Sequence, residues 1–257
     1  MKYFTGIDIG STASKVVVLD KDGMVAHFVI PTGWNSKDTA REIARRLEEM
    51  GIPVDDEMKV IATGYGRVSV EYADKIVTEI TCHGKGGWNL LGRDCTIVDI
   101  GGQDTKVITV ENGVATSFLM NDKCSAGTGK FLEIMANRLG VTLEEMFSQA
   151  EKGKPLAISS MCTVFAESEV ISHIGAGERR EDIAAGVVES VVNKVAGLCQ
   201  RHAIKGDVML TGGLSECIYI RDRLSAKIKA PVHSDPMGRY AGALGAALIA
   251  RGRKKQS

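Results

Sequence analysis

Gly6-Ile7-Asp8-Ile9-Gly10-Ser11-Thr12-Ala13-Ser14-Lys15-Val16 opens the chain. About ninety residues further on, the signature returns as Asp99-Ile100-Gly101-Gly102-Gln103-Asp104-Thr105-Lys106-Val107. Both copies read Asp-Ile-Gly, four residues, then Lys-Val. An apolar run precedes each (Tyr3 to Ile7; Thr96 to Val98) and another follows (Val16 to Leu19; Val107 to Val110). Each copy then meets a hairpin signal, Asp22-Gly23 or Asn112-Gly113, and a further apolar stretch, as antiparallel strands joined by tight turns require. Each half therefore opens strand, turn, strand, turn, strand.

Downstream the apolar period changes from two to that of a helix. Thr39 to Met50 predicts an amphipathic helix, followed by the short strand Val60-Ile61-Ala62. In the second half Gly129 to Leu139, Ala166 to Ile174 and Ile183 to His202 predict helices. Val208 to Leu210 predicts a strand that ends in Thr211-Gly212-Gly213, with another helix beyond it. The expectation is α/β in two lobes, with a cleft between the two hairpins. Residues 1–92 with 236–257 make lobe I, and residues 93–235 make lobe II. The small-residue stretch Gly238 to Ala247 should pack back on the first lobe.

The 257 residues carry 32 basic and 32 acidic side chains. A balanced charge gives no reason to expect a nucleic acid or an anionic membrane as partner. The longest apolar stretch, Tyr240 to Ala250, is too short to span a bilayer. Met1-Lys2-Tyr3-Phe4 leads into the polar motif rather than a signal-peptide core, so the expected location is cytoplasmic. The six cysteines are scattered with no CxxC pair, which in a reducing compartment makes them thiols or metal ligands. His83, His173 and His202 are expected in core or surface roles, and Met120, Met135 and Met161 as core filler.

The turn Gly10-Ser11-Thr12-Ala13-Ser14, with Lys15 nearby, offers backbone N–H groups and three hydroxyls in a small concavity that suits phosphate oxygens. Gly101-Gly102-Gln103-Asp104-Thr105 offers the same from the other lobe. Asp8 and Asp99 close equivalent strands, and two carboxylates beside polyphosphate suit water-mediated Mg²⁺. Neither turn is a Walker A loop or a dinucleotide fingerprint, because no helix follows the glycines.

These elements resemble the phosphate-1, phosphate-2 and adenosine motifs of the superfamily of acetate and sugar kinases, Hsp70 and actin, with Gly212-Gly213 on the adenosine side. Within it the chain resembles the activators (ATP-dependent reductases) of 2-hydroxyacyl-CoA dehydratases, in the BadF/BadG/BcrA/BcrD-type ATPase family. Besides the two glycine turns, the matching residues are Ala62-Thr63-Gly64-Tyr65-Gly66-Arg67, Met120-Asn121-Asp122-Lys123-Cys124-Ser125-Ala126-Gly127-Thr128-Gly129, Cys162-Thr163-Val164-Phe165-Ala166-Glu167-Ser168-Glu169-Val170 and Gly242-Ala243-Leu244-Gly245-Ala246-Ala247. The sequence departs from the pattern at Pro31 to Asp38, where Trp34 interrupts a run of small residues, and at Gly84 to Gly92 around Trp88. The resemblance implies the duplicated ribonuclease H-like fold of actin and Hsp70, with ATP or ADP in the interlobe cleft.

Cys124 and Cys162 each precede a helical pattern, so both are expected at helix N-termini, where N–H groups and the dipole favour thiolate and stabilise an anionic cluster. A cubane takes four thiolates and the chain offers two in such settings. A two-fold homodimer sharing one [4Fe-4S] cluster, as the resemblance implies, completes the set. Cys82, Cys95, Cys199 and Cys217 read as small core residues. The implied cycle takes an electron from ferredoxin or flavodoxin, closes on Mg-ATP, and delivers the electron to an iron–sulfur dehydratase as ATP is hydrolysed. Gln103 is either the residue that positions the attacking water or a polar turn residue that touches phosphate only. Three rivals stay open: a small-molecule kinase of the same fold, a non-redox switch like actin or Hsp70, and the ATPase component of an aromatic acyl-CoA reductase or another low-potential iron–sulfur reductase. The first two leave the cysteine motifs unexplained.

Overall fold

The computed structural model describes residues 2–159 and 161–252. Strands β1 (Phe4–Ile9), β2 (Ala13–Leu19), β3 (Met24–Pro31), β4 (Lys59–Thr63) and β5 (Lys75–Ile76) form one sheet in the order β3-β2-β1-β4-β5. Strands β6 (Cys95–Ile100), β7 (Thr105–Glu111), β8 (Val114–Asn121), β9 (Asp207–Gly212) and β10 (Val232–His233) form a second, in the order β10-β9-β6-β7-β8. Read from the β8 edge, the second sheet repeats the order of the first. The duplication seen in the Asp-Ile-Gly hairpins therefore governs both complete sheets. β1 pairs antiparallel with β2, setting Asp8 opposite Lys15, and parallel with β4, setting Asp8 beside Thr63.

Among the described residues, one compact unit takes 2–97, 108–117 and 237–252, and the other takes 98–107 and 118–236. The repeat sets a boundary at 92/93, whereas the compact units divide within β6, between Ile97 and Val98.

In the first unit, α1 (Ser36–Glu49) starts three residues earlier than its apolar spacing suggests. Asn35 caps it, its side chain accepting the Lys37 N–H at 2.9 Å, which offsets one of the orphan donors of the first turn. α1 buries Ala40, Ile43 and Leu47 against Val16, Val18, Phe28 and Ile30. The alternate residues Val17 and Leu19 face α8 (Ala241–Gly252), through Ala243, Leu244 and Ala247. Burial on both faces is why β2 reads as a continuous apolar run instead of an alternation.

α2 (Glu79–Leu91) was not expected, because Gly84, Gly86 and Gly87 within it each weaken a helix by about 1 kcal/mol. Tertiary packing overrides that cost. A Cβ at Gly86 would collide with the Ala241 carbonyl, and one at Gly245 with the Cys82 carbonyl. The glycines thus let α2 and α8 pack backbone to backbone, and α8 lies on β1, β2 and β4 as well. Trp88, at the C-terminal end of α2, donates its indole N–H to Asp94 at 3.1 Å, while Trp34 stands fully in solvent.

In the second unit, α3 (Gly129–Leu139), α4 (Leu143–Ala150), α5 (Thr163–Gly175), α6 (Arg180–His202) and α7 (Ile218–Ile228) surround a core of Val98, Ile100, Val107, Leu132, Met135, Val191 and Leu210. The short helix α4 was also unread in the sequence, although Thr142 and Glu145 form a complete capping box at its start. No helix among the described residues is long and apolar enough to cross a membrane.

Candidate functional site

The first turn joins β1 to β2 over residues 10–12. Asp8 is 4% exposed, and Lys15 Nζ lies 3.9 Å from its Oδ2. Two glycines wall the carboxylate. A Cβ on Gly64 would sit 2.5 Å from Asp8 Oδ1, and one on Gly242 would sit 2.9 Å from Oδ2 and 2.8 Å from His83 Nε2. Ser11 and Thr12 are exposed at the tip. Ser14 differs from the expectation of three presented hydroxyls: its side chain is buried and its hydroxyl pairs with that of Thr32 at 2.6 Å. The strand alternation that points Lys15 one way turns Ser14 the other.

The second turn is more tightly tied. Asp99 is 2% exposed and accepts the Thr211 hydroxyl at 2.9 Å on Oδ1. Lys106 Nζ lies 3.5 Å from Asp99 Oδ2 and 2.7 Å from Asp104 Oδ1. The Gly101 N–H closes the turn on the Asp104 carbonyl at 2.9 Å, and Gln103 is exposed at the tip. Gly212, with φ +90, repeats the role of Gly64, with φ +88. A Cβ on Gly212 would collide with the Ile100 carbonyl and lie 2.9 Å from Asp99 Oδ1, while one on Gly64 would collide with the Ile9 carbonyl. The repeat unit is therefore Asp-Ile-Gly on one strand and Thr-Gly at the end of the strand beside it. Gly213 is exposed beyond it.

Sequence reasoning named Lys15 but passed over Lys106, Thr211 and His83. The repeat carried the signal for Lys106, since it stands in register with Lys15. No short pattern pointed to His83, which comes to the Gly242 side of Asp8 because α2 and α8 pack so closely.

Cys162 is the N-cap residue of α5, with no side chain capping the helix, and its carbonyl accepts the Ala166 N–H. Cys124 departs from the expected helix N-terminus. It sits four residues ahead of Thr128, the N-cap of α3, because a turn closed from the Thr128 N–H to the Ser125 carbonyl at 3.0 Å and the left-handed Gly127 keep the helix from extending back. Both thiols are half-buried. Their loops adjoin: the Cys124 thiol points at the Met161 carbonyl at 3.8 Å, and the Ser125 and Thr163 hydroxyls are 2.8 Å apart. Met161 is not core filler. It is 79% exposed and continues into Val164, Phe165, Ile171 and Ile174 on the exposed face of α5.

The other thiols contrast with these two. Burial pushes Cys82 and Cys199 up to about 12 and raises Cys217 as well, and Cys95 is buried. Neutral buried thiols make poor ligands, whereas two accessible thiols on adjoining loops fit half of a thiolate set. Among the described residues no group of three or more His, Cys, Asp or Glu side chains is placed to hold a metal ion.

Comparison with known proteins places these features in a wider set. The model of the BadF/BadG/BcrA/BcrD ATPase family matches residues 5–250. The chain is 46% identical over 252 residues to the (R)-2-hydroxyglutaryl-CoA dehydratase activating ATPase of Acidaminococcus fermentans, covering 96% of each chain. It is 44% identical to the activator of lactoyl-CoA dehydratase of Anaerotignum propionicum, covering 96% of this chain and 97% of that one. The solved structure of the 2-hydroxyisocaproyl-CoA dehydratase activator from Clostridium difficile with bound ADPNP superposes with a TM-score of 0.89 at 39% identity, covering 99% of both chains.

Proposed function

The chain belongs to the BadF/BadG/BcrA/BcrD ATPase family, and from that premise we propose that it is an ATP-hydrolysing activator of a 2-hydroxyacyl-CoA dehydratase, acting as a homodimer that shares one [4Fe-4S] cluster. ATP hydrolysis by the chain would drive delivery of a low-potential electron to an iron–sulfur dehydratase, with ferredoxin or flavodoxin as donor. The observation that carries this reading is the placement of Cys124 and Cys162. They are half-buried thiols on hydrogen-bonded neighbouring loops, in the same unit as the second glycine turn. A glycine-turn ATPase without redox chemistry has no use for that pair.

The chain's own groups divide the work. Backbone N–H groups of 11–14 with Lys15, and those of 101–104, take phosphate oxygens. Asp8 and Asp99 would hold Mg²⁺ beside the phosphates, a cation that dehydrates reluctantly and suits carboxylate partners. Asp99 is already fixed by Thr211 and Lys106, so it supplies an oriented acceptor, while Asp8 has the more adjustable environment. Gln103, exposed at its tip, orients the attacking water, and Gly212-Gly213 line the adenosine. Cys124 and Cys162 would hold half the cluster. Cys162, as the N-cap of α5, would present its side of the cluster to the positive end of that helix's dipole. Bound to four thiolates, such a cluster supplies one-electron chemistry at low potential. The exposed face of Met161, Val164, Phe165 and Ile171 beside Cys162 is where a second copy would bury apolar surface and bring the other two thiols.

Anaerobic purification tests the reading. The expected protein is brown, with broad absorption near about 400 nm, and hydrolyses ATP with Mg²⁺. Colourless protein that takes up no iron on reconstitution would contradict it.

A further inference from the structure

An unbroken series of hydrogen bonds leads from the second glycine turn to both cysteines, all within the second unit. The Gly101 carbonyl accepts the Gly129 N–H at 2.9 Å, and the Gly102 carbonyl accepts the Lys130 N–H at 2.8 Å, so the turn sits on the first residues of α3. Thr105, 2% exposed at the start of β7, donates its hydroxyl to the Gly127 carbonyl at 2.6 Å. Gly127 packs against α6, where a Cβ on it would lie 2.6 Å from Lys194 Cγ. Thr128, fully buried, donates its hydroxyl to the Ser125 carbonyl at 2.6 Å. The Asn121 amide ties down the Cys124 and Ala126 carbonyls at 2.9 and 3.0 Å. Finally the Ser125 and Thr163 hydroxyls meet at 2.8 Å, each belonging to the residue that directly follows a site cysteine.

We propose that Thr105, Ser125 and Thr163 are positioning residues that carry a displacement of the 101–104 turn to the two thiols. Thr105 serves the Cys124 loop, and the Ser125–Thr163 pair passes the shift on to Cys162. This rests on the reading above that the turn takes phosphate. Two sites respond to each other only through contacts that differ between two states. The Ser125–Thr163 pair is a direct polar link between two loops that are 38 residues apart in sequence. Breaking it leaves Cys124 attached to the turn through Gly127, Gly129 and Lys130, while Cys162 loses its polar tie to Ser125. The proposal therefore separates the two cysteines.

The test labels Cys124 and Cys162 with iodoacetamide in the full-length, metal-free protein under anaerobic conditions. Mass spectrometry follows each residue, with and without Mg²⁺ and a saturating non-hydrolysable ATP analogue. In the unaltered chain the nucleotide should change both rates by about five-fold, the scale of one net hydrogen bond. Ser125→Ala should keep the response at Cys124 and cut it at Cys162 to below about two-fold. Thr163→Val, which removes the same pair from the other side, should give the same pattern, and Ser125→Thr should restore it. Thr105→Val should diminish both responses. A full response at Cys162 in Ser125→Ala and Thr163→Val, or no response at either thiol in the unaltered chain, would overturn the relay. Iron uptake, measured separately, distinguishes the two readings: a chain that binds no iron yet shows the split response would sink the cluster and leave the relay standing.

Discussion

Lys15 and Lys106 stand at equivalent positions of the repeat, yet their substitutions should part company. Lys106→Met removes an amine placed 2.7 Å from Asp104 and 3.5 Å from Asp99, with the Lys106 and Asp99 side chains 4% and 3% exposed. Methionine fills nearly the same volume, so the cavity left is small. What remains is a buried Asp99 without its cation, and breaking a buried pair from one side costs about 3–5 kcal/mol. Lys15→Met removes a longer contact, 3.9 Å, from a side chain that is 16% exposed. Asp8 itself is buried, its side chain 6% exposed, but at 3.9 Å the pair is at the limit of contact, so the cost should be about 1 kcal/mol or less. Urea unfolding followed by far-UV circular dichroism reads both units. At a slope of about 2 kcal/mol per molar, Lys106→Met should lower the midpoint by more than about 1 M and Lys15→Met by less than about 0.5 M. Lys15→Met should instead weaken Mg-ATP use. Equal midpoint shifts for the two variants would refute the reasoning that contact distance and burial, not sequence position, set the cost.

Asp8→Ala should sharply reduce Mg-ATP hydrolysis while leaving the visible spectrum intact; retained ATPase activity would remove Asp8 from the site. Iodoacetamide at pH 8 should label Cys124 and Cys162 in the native metal-free chain and spare Cys82 and Cys199. A thiol moved to about 12 holds about a thousandth of the thiolate of an ordinary one, so rapid labelling of either buried cysteine would contradict its placement. Gly245→Ala gains about 1 kcal/mol of helix propensity but drives a methyl into the Cys82 carbonyl. The net effect should be a lower melting temperature, and an unchanged one would mean α2 and α8 are not in backbone contact.

Much of the first turn and of both sheets was legible because hairpin chemistry is local: Asp-Ile-Gly, a two-residue turn signal and alternate apolar runs lie within thirty residues of one another. α2 was hidden for the opposite reason. Its glycines are local helix breakers whose purpose is a contact with Gly245 and Ala241, far along the chain. Cys162 stands at a helix start as expected, although the apolar spacing reads only from Ala166 and α5 begins three residues earlier at Thr163. Cys124 does not, because Gly127 and Gly129 interrupt the segment and only the Asn121 and Thr128 side chains show how it is held. Ser14 and Thr12 look alike in sequence, and only the pairing with Thr32 shows which hydroxyl is committed to the fold.

The sharing of one cubane by two chains is tested most directly by the iron content of the anaerobically purified dimer, with mass measured in the same sample. About four iron atoms per two chains is the predicted result. Either Cys124→Ala or Cys162→Ala should lower it to essentially none, while Cys95→Ala, Cys199→Ala and Cys217→Ala keep it. About eight iron atoms per two chains, so that each chain carries its own cluster, would contradict the account.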